Sequence, residues 1–464
     1  MKAAKPYQTT GINFLVPRTR AILADDPGLG KAMQLIKAAN LRDQSDRILI
    51  LCPTIGRVSW KLQLEEWDQN KRPVIFFPHK GNVSYTSTGG LPKGPCAVVV
   101  TFEWLQIEAN LDKLNAAMEA SGAMDVAFVD EAHYLKNPKA QRTKSVYGHK
   151  LNLAGGALAK CPVRWIATGT LTPIHAGEAY PHLRALFPDV LQTLFNGQIP
   201  NAFGFEEHFC HVSETRFGRQ NNGNNPANIP ALKAALEPHM ILRRKMDVLR
   251  ELPPILTIAL PLETNFRSEK DDLTDADVAA MSDAEVEAAF VSLDAAASTK
   301  RRKLGQAKRE AARAWIQEFL SCDPTRKLNV FGHHREVLEG LLKDHATFNP
   351  VIIHGGTTPA QDSESVRRFQ EDPDCRLFIG QNRAAGTSIT LTAADTVLLL
   401  EPDPAPQVNY QVISRSHRLG QKSVVTAVIA YDHASALERR YVSVLRRRAT
   451  DNETLFGGET PGVL

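Results

Sequence analysis

Val126-Ala127-Phe128-Val129-Asp130-Glu131-Ala132-His133 is the stretch on which the fold turns. Four apolar residues run without a break into two carboxylates. A short continuous apolar run of this kind is the pattern of a strand buried on both faces of a parallel sheet. The carboxylates then fall just past its C-terminal end, where open α/β sheets bind their ligands. Asp130 is suited to hold Mg2+, directly or through water, and Glu131 to polarise an attacking water. An acidic pair at a strand end is common in α/β proteins, so the reading needs a second signal.

That signal lies upstream, in Leu23-Ala24-Asp25-Asp26-Pro27-Gly28-Leu29-Gly30-Lys31-Ala32, which runs into a helical pattern at Met33-Gln34-Leu35-Ile36. Glycines let backbone N–H groups curl around phosphate oxygens, and a helix N-terminus adds favourable partial charge. Lys31 would reach the β- and γ-phosphates. Gly28, Leu29, Gly30, Lys31 and Ala32 are therefore candidate nucleotide contacts, with ATP and Mg2+ as the expected cofactors.

Working outward, Arg47–Cys52 and Ala97–Val100 repeat the buried-strand pattern, and helix-like periodicity follows each. Such a βαβ rhythm implies a doubly wound sheet covered on both faces. It returns at Lys327–Phe331, Pro350–Ile353, Cys375–Ile379 and Thr396–Leu400, after a strand-like run at Ile255–Leu260. The texture between differs. Gly218–Pro226 is rich in Gly and Asn and reads as an exposed loop flanked by helical patterns, and residues 267–320 look helical. We expect an α/β protein with one lobe over residues 1–178, a helical protrusion and linker over 179–254, and a second lobe over 255–464 that ends in an amphipathic helix (Leu437, Tyr441, Leu445). A cleft between lobes is a natural ligand site.

Composition narrows the class. Hydrophobic residues make up 43% of the 464 and charged residues 23%, as in ordinary globular chains. No apolar run is long enough to span a bilayer, and the N-terminus has no signal-peptide core. Six cysteines without a C-x-x-C pair argue against a zinc site or a disulfide framework. The expectation is reduced thiols, a cytoplasmic location, no membrane partner and a monomer. A net charge of +4 permits nucleic-acid binding without demonstrating it.

Near the C-terminus stands Gln411-Val412-Ile413-Ser414-Arg415-Ser416-His417-Arg418-Leu419-Gly420-Gln421. With the phosphate loop and the Asp-Glu-Ala-His box, this string resembles the superfamily-two helicases, and within them the Swi/Snf-related DNA translocases, whose sixth motif runs Q-x-x-D-R-x-H-R-x-G-Q. Arg415 and Arg418, three residues apart, would share a helix face and reach the γ-phosphate as arginine fingers, with Gln411 beside them. The resemblance implies two RecA-like lobes with ATP between them. It also makes Gln8, in Pro6-Tyr7-Gln8, an adenine-reading residue. Cys52-Pro53-Thr54 with Trp60 and Trp67, Leu242-Arg243-Arg244-Lys245, Val330–Arg335 and Ala384–Thr392 look like further family motifs, and Gly386 joins the nucleotide candidates from the last of these. The texture is nearest to compact, annealing-helicase-like members of bacteria and phages.

The resemblance further implies an ATP-driven motor on double-stranded or forked DNA. The duplex would run past Thr54, Arg57, Thr101, Thr168, His333, Arg335 and Thr390, where hydroxyls and cations suit phosphate contacts that do not read sequence. Four positions depart from the family pattern. Ala32 stands where a Mg2+-ligating Thr is usual, Leu171 and Ile174 replace Pro and Asn, and Ser414 replaces the acidic residue before Arg415. These departures leave open a slow motor or an ATP-gated DNA clamp with impaired hydrolysis, and an RNA-directed helicase is a third reading.

Overall fold

A computed structural model describes residues 3–77, 91–169, 171–172, 175–215, 218–265, 275–281, 285–286, 295–382, 389–403 and 406–445. The chain divides into two compact units. The first holds residues up to Cys210 together with Asn224–Val248, and the second holds His211–Gly223 and everything from Leu249 onward.

The first unit is built on β1 (Arg20–Leu23), β2 (Arg47–Cys52), β3 (Val74–Phe76), β4 (Cys96–Thr101), β5 (Val126–Val129) and β6 (Val163–Ala167). β7 (Cys210–Thr215) and β8 (Gly218–Asn224), nearly all of whose residues fall in the second unit, form a small sheet of their own, while β9 (Met240–Ile241) closes the edge of the main sheet of the first. The main sheet runs β3-β4-β2-β5-β6-β1-β9, and its pairings are parallel. Every residue of β2, β4 and β5 is buried, which is what an uninterrupted apolar run achieves when helices cover both faces. Helices Pro6–Leu15, Lys31–Leu41 and Arg57–Trp67 supply Ile12, Leu15, Leu35, Ile36, Trp60 and Leu64 to the core on one face.

The second unit carries β10 (Ile255–Leu262), β11 (Leu328–Gly332), β12 (Val351–Ile353), β13 (Leu377–Gln381), β14 (Thr396–Leu399) and β15 (Val425–Asp432), ordered β10-β15-β14-β11-β13-β12 and again parallel. Successive side chains of a strand point to opposite faces. Accordingly Val397 and Leu399 enter one core, while Leu398 and Leu400 enter another. Helix Ala295–Ser321 packs Ala312, Ile316 and Leu320 into the second of these. The expected fold class, two doubly wound parallel α/β sheets, is the fold observed.

Two local expectations are corrected. The Gly/Asn-rich stretch from Gly218 is strand β8, not a loop, because its backbone pairs with β7. Residues 179–254 are also more than helix: besides helices Tyr180–Leu186, Pro188–Leu194, Ala202–Phe209 and Ile229–Leu236 they contribute β9, which pairs with β1 at the edge of the first sheet. No described helix is long and apolar enough to cross a membrane, and no disulfide joins the cysteines.

Candidate nucleotide and nucleic-acid site

In the first unit the candidate residues converge on the C-terminal edge of the sheet. The loop from Ala24 to Gly30 links β1 to helix Lys31–Leu41. Gly28 and Gly30 take φ values of 91° and 79°, a left-handed turn that other residues adopt only at a cost. A Cβ on Gly30 would also lie 2.7 Å from Gln8 Nε2. No side chain caps this helix, so its N-terminal N–H groups are left for an anion. Lys31 Nζ donates to the carbonyls of Asp25 at 2.8 Å and Asp26 at 3.4 Å. Gln8 spans from the N-terminal helix to the loop: its Oε1 accepts from Lys5 N at 2.9 Å, and its Nε2 donates to Leu29 O at 3.2 Å.

Asp130 and Glu131 leave β5 at the same edge. Burial, reinforced by Glu131, pushes the Asp130 carboxyl up to about 6, while the indole N–H of Trp60 and the charge of Lys31 pull it down. Lys31 is thus within electrostatic reach of the acidic pair. The Trp60 bond is direct, Nε1 to Oδ2 at 2.8 Å, and Glu131 N donates to Oδ1 at 3.0 Å. Glu131 itself sits at φ 50°, a strained conformation for a residue with a side chain. Its Oε2 lies 3.2 Å from His133 Nδ1, and the same nitrogen is 3.2 Å from Thr168 Oγ1. Among the described residues no cluster of His, Cys, Asp and Glu makes a protein-only metal cage. Asp130 with phosphate oxygens and water is nonetheless a donor set that suits Mg2+, and a cation there would offset the burial and the Glu131 charge that raise its affinity for protons.

In the second unit the sixth-motif string requires a correction. Helix Pro406–Ile413 stops before the arginines, so Arg415 and Arg418 lie in a series of tight turns and share no helix face. The bonds are Ser414 N to Tyr410 O at 2.8 Å, Arg415 N to Val412 O at 3.1 Å and Arg418 N to Ser416 O at 3.1 Å. Gly420, at φ 101°, follows them. Two buried amides fasten these turns to the sheet. Gln421 Nε2 donates to Thr392 O, Ala394 O and Ser416 O, and Asn329 Nδ2 donates to Ser416 Oγ at 2.7 Å. Arg415 is buried, and Leu391 N donates to its carbonyl at 2.9 Å. Arg418 donates to Thr390 Oγ1 at 3.1 Å, and burial pushes its guanidinium down to about 10. Gln411 is half-buried near the end of the same helix.

The nucleic-acid candidates fall into distinct environments. Thr54 is exposed, with its N–H and hydroxyl both on Glu103 Oε2. Arg57 lies over the ring of Phe76 at 4.6 Å. Thr101 and Thr168 are buried: the first caps helix Phe102–Leu105 by accepting from Trp104 N, and the second meets His133. His333 belongs to a loop fastened from below, its backbone N–H and that of His334 donating to Glu401 Oε2 at 2.9 and 3.0 Å. Arg335 is exposed and pairs with Glu339. Gly386 and Ile174 lie outside the described residues. Of the other departures, Ala32 is half-buried, Leu171 is buried, and the fully buried Ser414 hydroxyl finds no hydrogen-bond partner among the described residues.

Sequence reasoning quoted Trp60, Arg243 and Arg244 only as motif letters. The structure gives each a contact at the site: Trp60 on Asp130, Arg243 on Asp25 and Arg244 on Asp26. Their bonding partners are distant in sequence, so no local spacing rule points to them.

The model of the SNF2-related domain matches residues 7–286, and that of the helicase conserved C-terminal domain matches residues 311–420. The DNA annealing helicase and endonuclease ZRANB3 of Mus musculus is 28% identical over 97% of this chain and 41% of its own length. The SWI/SNF-related matrix-associated actin-dependent regulator of chromatin subfamily A-like protein 1 of Xenopus tropicalis is 27% identical over 90% of this chain and 41% of its own. The chain therefore spans about two fifths of the length of these relatives. A solved structure, the Sulfolobus solfataricus SWI2/SNF2 ATPase core in complex with dsDNA, aligns over 99% of this chain and 94% of that one, at 18% identity and a TM-score of 0.43.

Proposed function

The chain belongs to the SNF2-related family of helicase-like proteins, and on that footing we propose that it is a DNA-dependent ATPase that translocates along duplex DNA. The observation that carries this reading is the convergence on one sheet edge of an uncapped helix N-terminus, Lys31 and the Asp130–Glu131 pair. The names printed for its relatives, a DNA annealing helicase among them, support DNA as the substrate on which it acts.

In this account the Gly28–Lys31 loop binds the phosphates of ATP, Gln8 reads the adenine and Lys31 exchanges its carbonyl partners for phosphate oxygens. Asp130, oriented by Trp60, would hold Mg2+, which when bound neutralises charge developing on the transferred phosphoryl group. Glu131, steadied by His133, orients the attacking water. Arg415 and Arg418 contribute guanidinium groups to the γ-phosphate, an interaction worth ~10³–10⁵ in rate where it has been measured in other nucleotide hydrolases. Thr54, Arg57, His333, Arg335 and Thr390 grip the DNA backbone, so that binding weakens with salt and shows little base preference.

The test is displacement of a third strand from a triplex by a motor tracking along the duplex beneath it. ATP-dependent release, absent with a non-hydrolysable analogue and in Lys31→Ala, is expected. Hydrolysis without release would remove translocation from the account. Tighter DNA binding in ATP with no turnover would replace the motor by a nucleotide-gated clamp.

A further inference from the structure

The segment Leu242–Lys245 meets the phosphate loop from the side. β9 runs beside β1, and the backbone continues the pairing, with Ala24 N donating to Ile241 O at 2.8 Å and Asp26 N to Arg243 O at 3.0 Å. Side chains then tie the two together. Arg243 forks onto both oxygens of Asp25, Nε to Oδ1 at 2.8 Å and Nη2 to Oδ2 at 2.5 Å, and it also donates to Gln34 Oε1 at 2.7 Å and to the carbonyl of Tyr7. Gln34 Nε2 returns a bond to Asp25 Oδ2 at 3.0 Å and another to Leu29 O at 3.2 Å. Beside this, Arg244 Nη1 donates to Asp26 Oδ1 at 3.0 Å, and Lys245 N donates to Oδ2 at 2.9 Å.

These are buried interactions. Asp25 is fully buried and Asp26 nearly so. Space is equally constrained: a Cβ on Gly11 would fall 1.9 Å from Gln34 Oε1 and 2.6 Å from Arg243 Nη2. One guanidinium therefore holds together the helix that carries Tyr7 and Gln8, the phosphate loop, and the helix that begins at Lys31. The backbone carbonyls of the same two aspartates accept from Lys31 Nζ. Beyond Lys245 the chain runs through Met246–Val248 and enters the second unit at Leu249.

We propose that Arg243 and Arg244 are positioning residues of the phosphate loop, and that through them the chain entering the second unit sets the loop's affinity for a nucleoside triphosphate. The inference rests on reading Gly28–Lys31 as an ATP-binding loop. Its physical basis is that a buried, forked Arg–carboxylate pair is costly to break, because separation strands a charge in a low-dielectric setting. The loop and the Leu242–Lys245 segment, a strap across its side, therefore change conformation together. Displacement of the strap moves the carbonyls that hold Lys31, and a phosphate that draws Lys31 away acts back on the strap.

The experiment is titration of the full chain with a fluorescent ATP analogue and Mg2+, with and without duplex DNA, alongside Tm. The proteins are wild type, Arg243→Gln, Arg244→Gln, Asp25→Asn and the Asp25→Asn/Arg243→Gln double variant. Wild type is expected to change its affinity when DNA is added. Arg243→Gln is expected to bind the analogue about tenfold more weakly, and the double variant no more weakly than Arg243→Gln alone. Arg244→Gln, which leaves the Asp26 carboxylate the Lys245 N–H but removes the guanidinium, is expected to weaken binding in the same direction to a smaller degree, and both single variants are expected to respond less to added DNA. If Arg243→Gln does not fold, Arg243→Lys, which keeps the charge but not the fork, carries the same expectation in smaller degree. Wild-type binding with unchanged affinity and DNA response in the variants, or losses that disappear at equal folded fraction, overturns the inference. A wild-type chain that binds no analogue overturns the ATP reading itself.

Discussion

Ala32 is the second residue of helix Lys31–Leu41, and it presents a methyl group where the family carries a hydroxyl. Losing a fixed ligand to Mg2+ costs roughly 1–3 kcal/mol of transition-state stabilisation, or about 10- to 100-fold in rate. Ala32→Thr is accordingly expected to raise the ATP turnover number by up to that factor, with little change in KM. An unchanged rate in a steady-state phosphate assay would mean that water already fills the role. Ser414 is a different kind of departure. Its buried hydroxyl has no hydrogen-bond partner among the described residues, at the position where the family pattern has a carboxylate. At this scale the sequence was informative about placement: Lys31 follows the glycine loop and Asp130–Glu131 follow the buried strand, as the patterns predict. It was silent where a role depends on a bond across the fold, as with Trp60 and Asp130, or Arg243 and Asp25.

Elements were legible in proportion to how much of their stability comes from apolar burial. Runs such as Arg47–Cys52 and Cys96–Thr101 announce themselves because every residue is buried. Strand β8 does not, since Gly218–Asn224 is held by backbone pairing with β7 and leaves no trace in a hydrophobic pattern. β9 is two residues long, too short for any periodicity. The three-residue spacing of Arg415 and Arg418 suggested a helix, but turns made by backbone bonds had already replaced it after Ile413.

Helix packing also yields a pH prediction. His182, in helix Tyr180–Leu186, is fully buried, and its Nδ1 lies 2.9 Å from the Tyr147 hydroxyl at the end of helix Gln141–Tyr147. Burial, with a smaller effect from His133, pushes His182 down to about 3. The unfolded imidazole titrates near 6.5, so between those values the unfolded chain binds the extra proton and stability falls as pH falls. From pH 7 to pH 5 wild type should lose about 2 kcal/mol more than His182→Gln. Denaturant midpoints read by tryptophan fluorescence report mainly on the first unit, which holds Trp60, Trp67, Trp104 and Trp165. Parallel pH profiles for the two proteins would refute the assignment.

At the scale of the whole molecule, the proposed ATPase draws on residues of two parallel sheets of the same class. The first presents a glycine-bearing loop, a lysine and two carboxylates at its C-terminal edge, and the second presents two largely desolvated arginines. The proposed hydrolysis requires both sets. The measurement that tests this most directly is steady-state phosphate release with and without duplex DNA, made on wild type, Lys31→Ala and Arg415→Ala. Stimulation of wild type by duplex, lost in both variants while Arg415→Ala still binds ATP, is the predicted result. Turnover that ignores DNA, or that survives in Arg415→Ala, would contradict it.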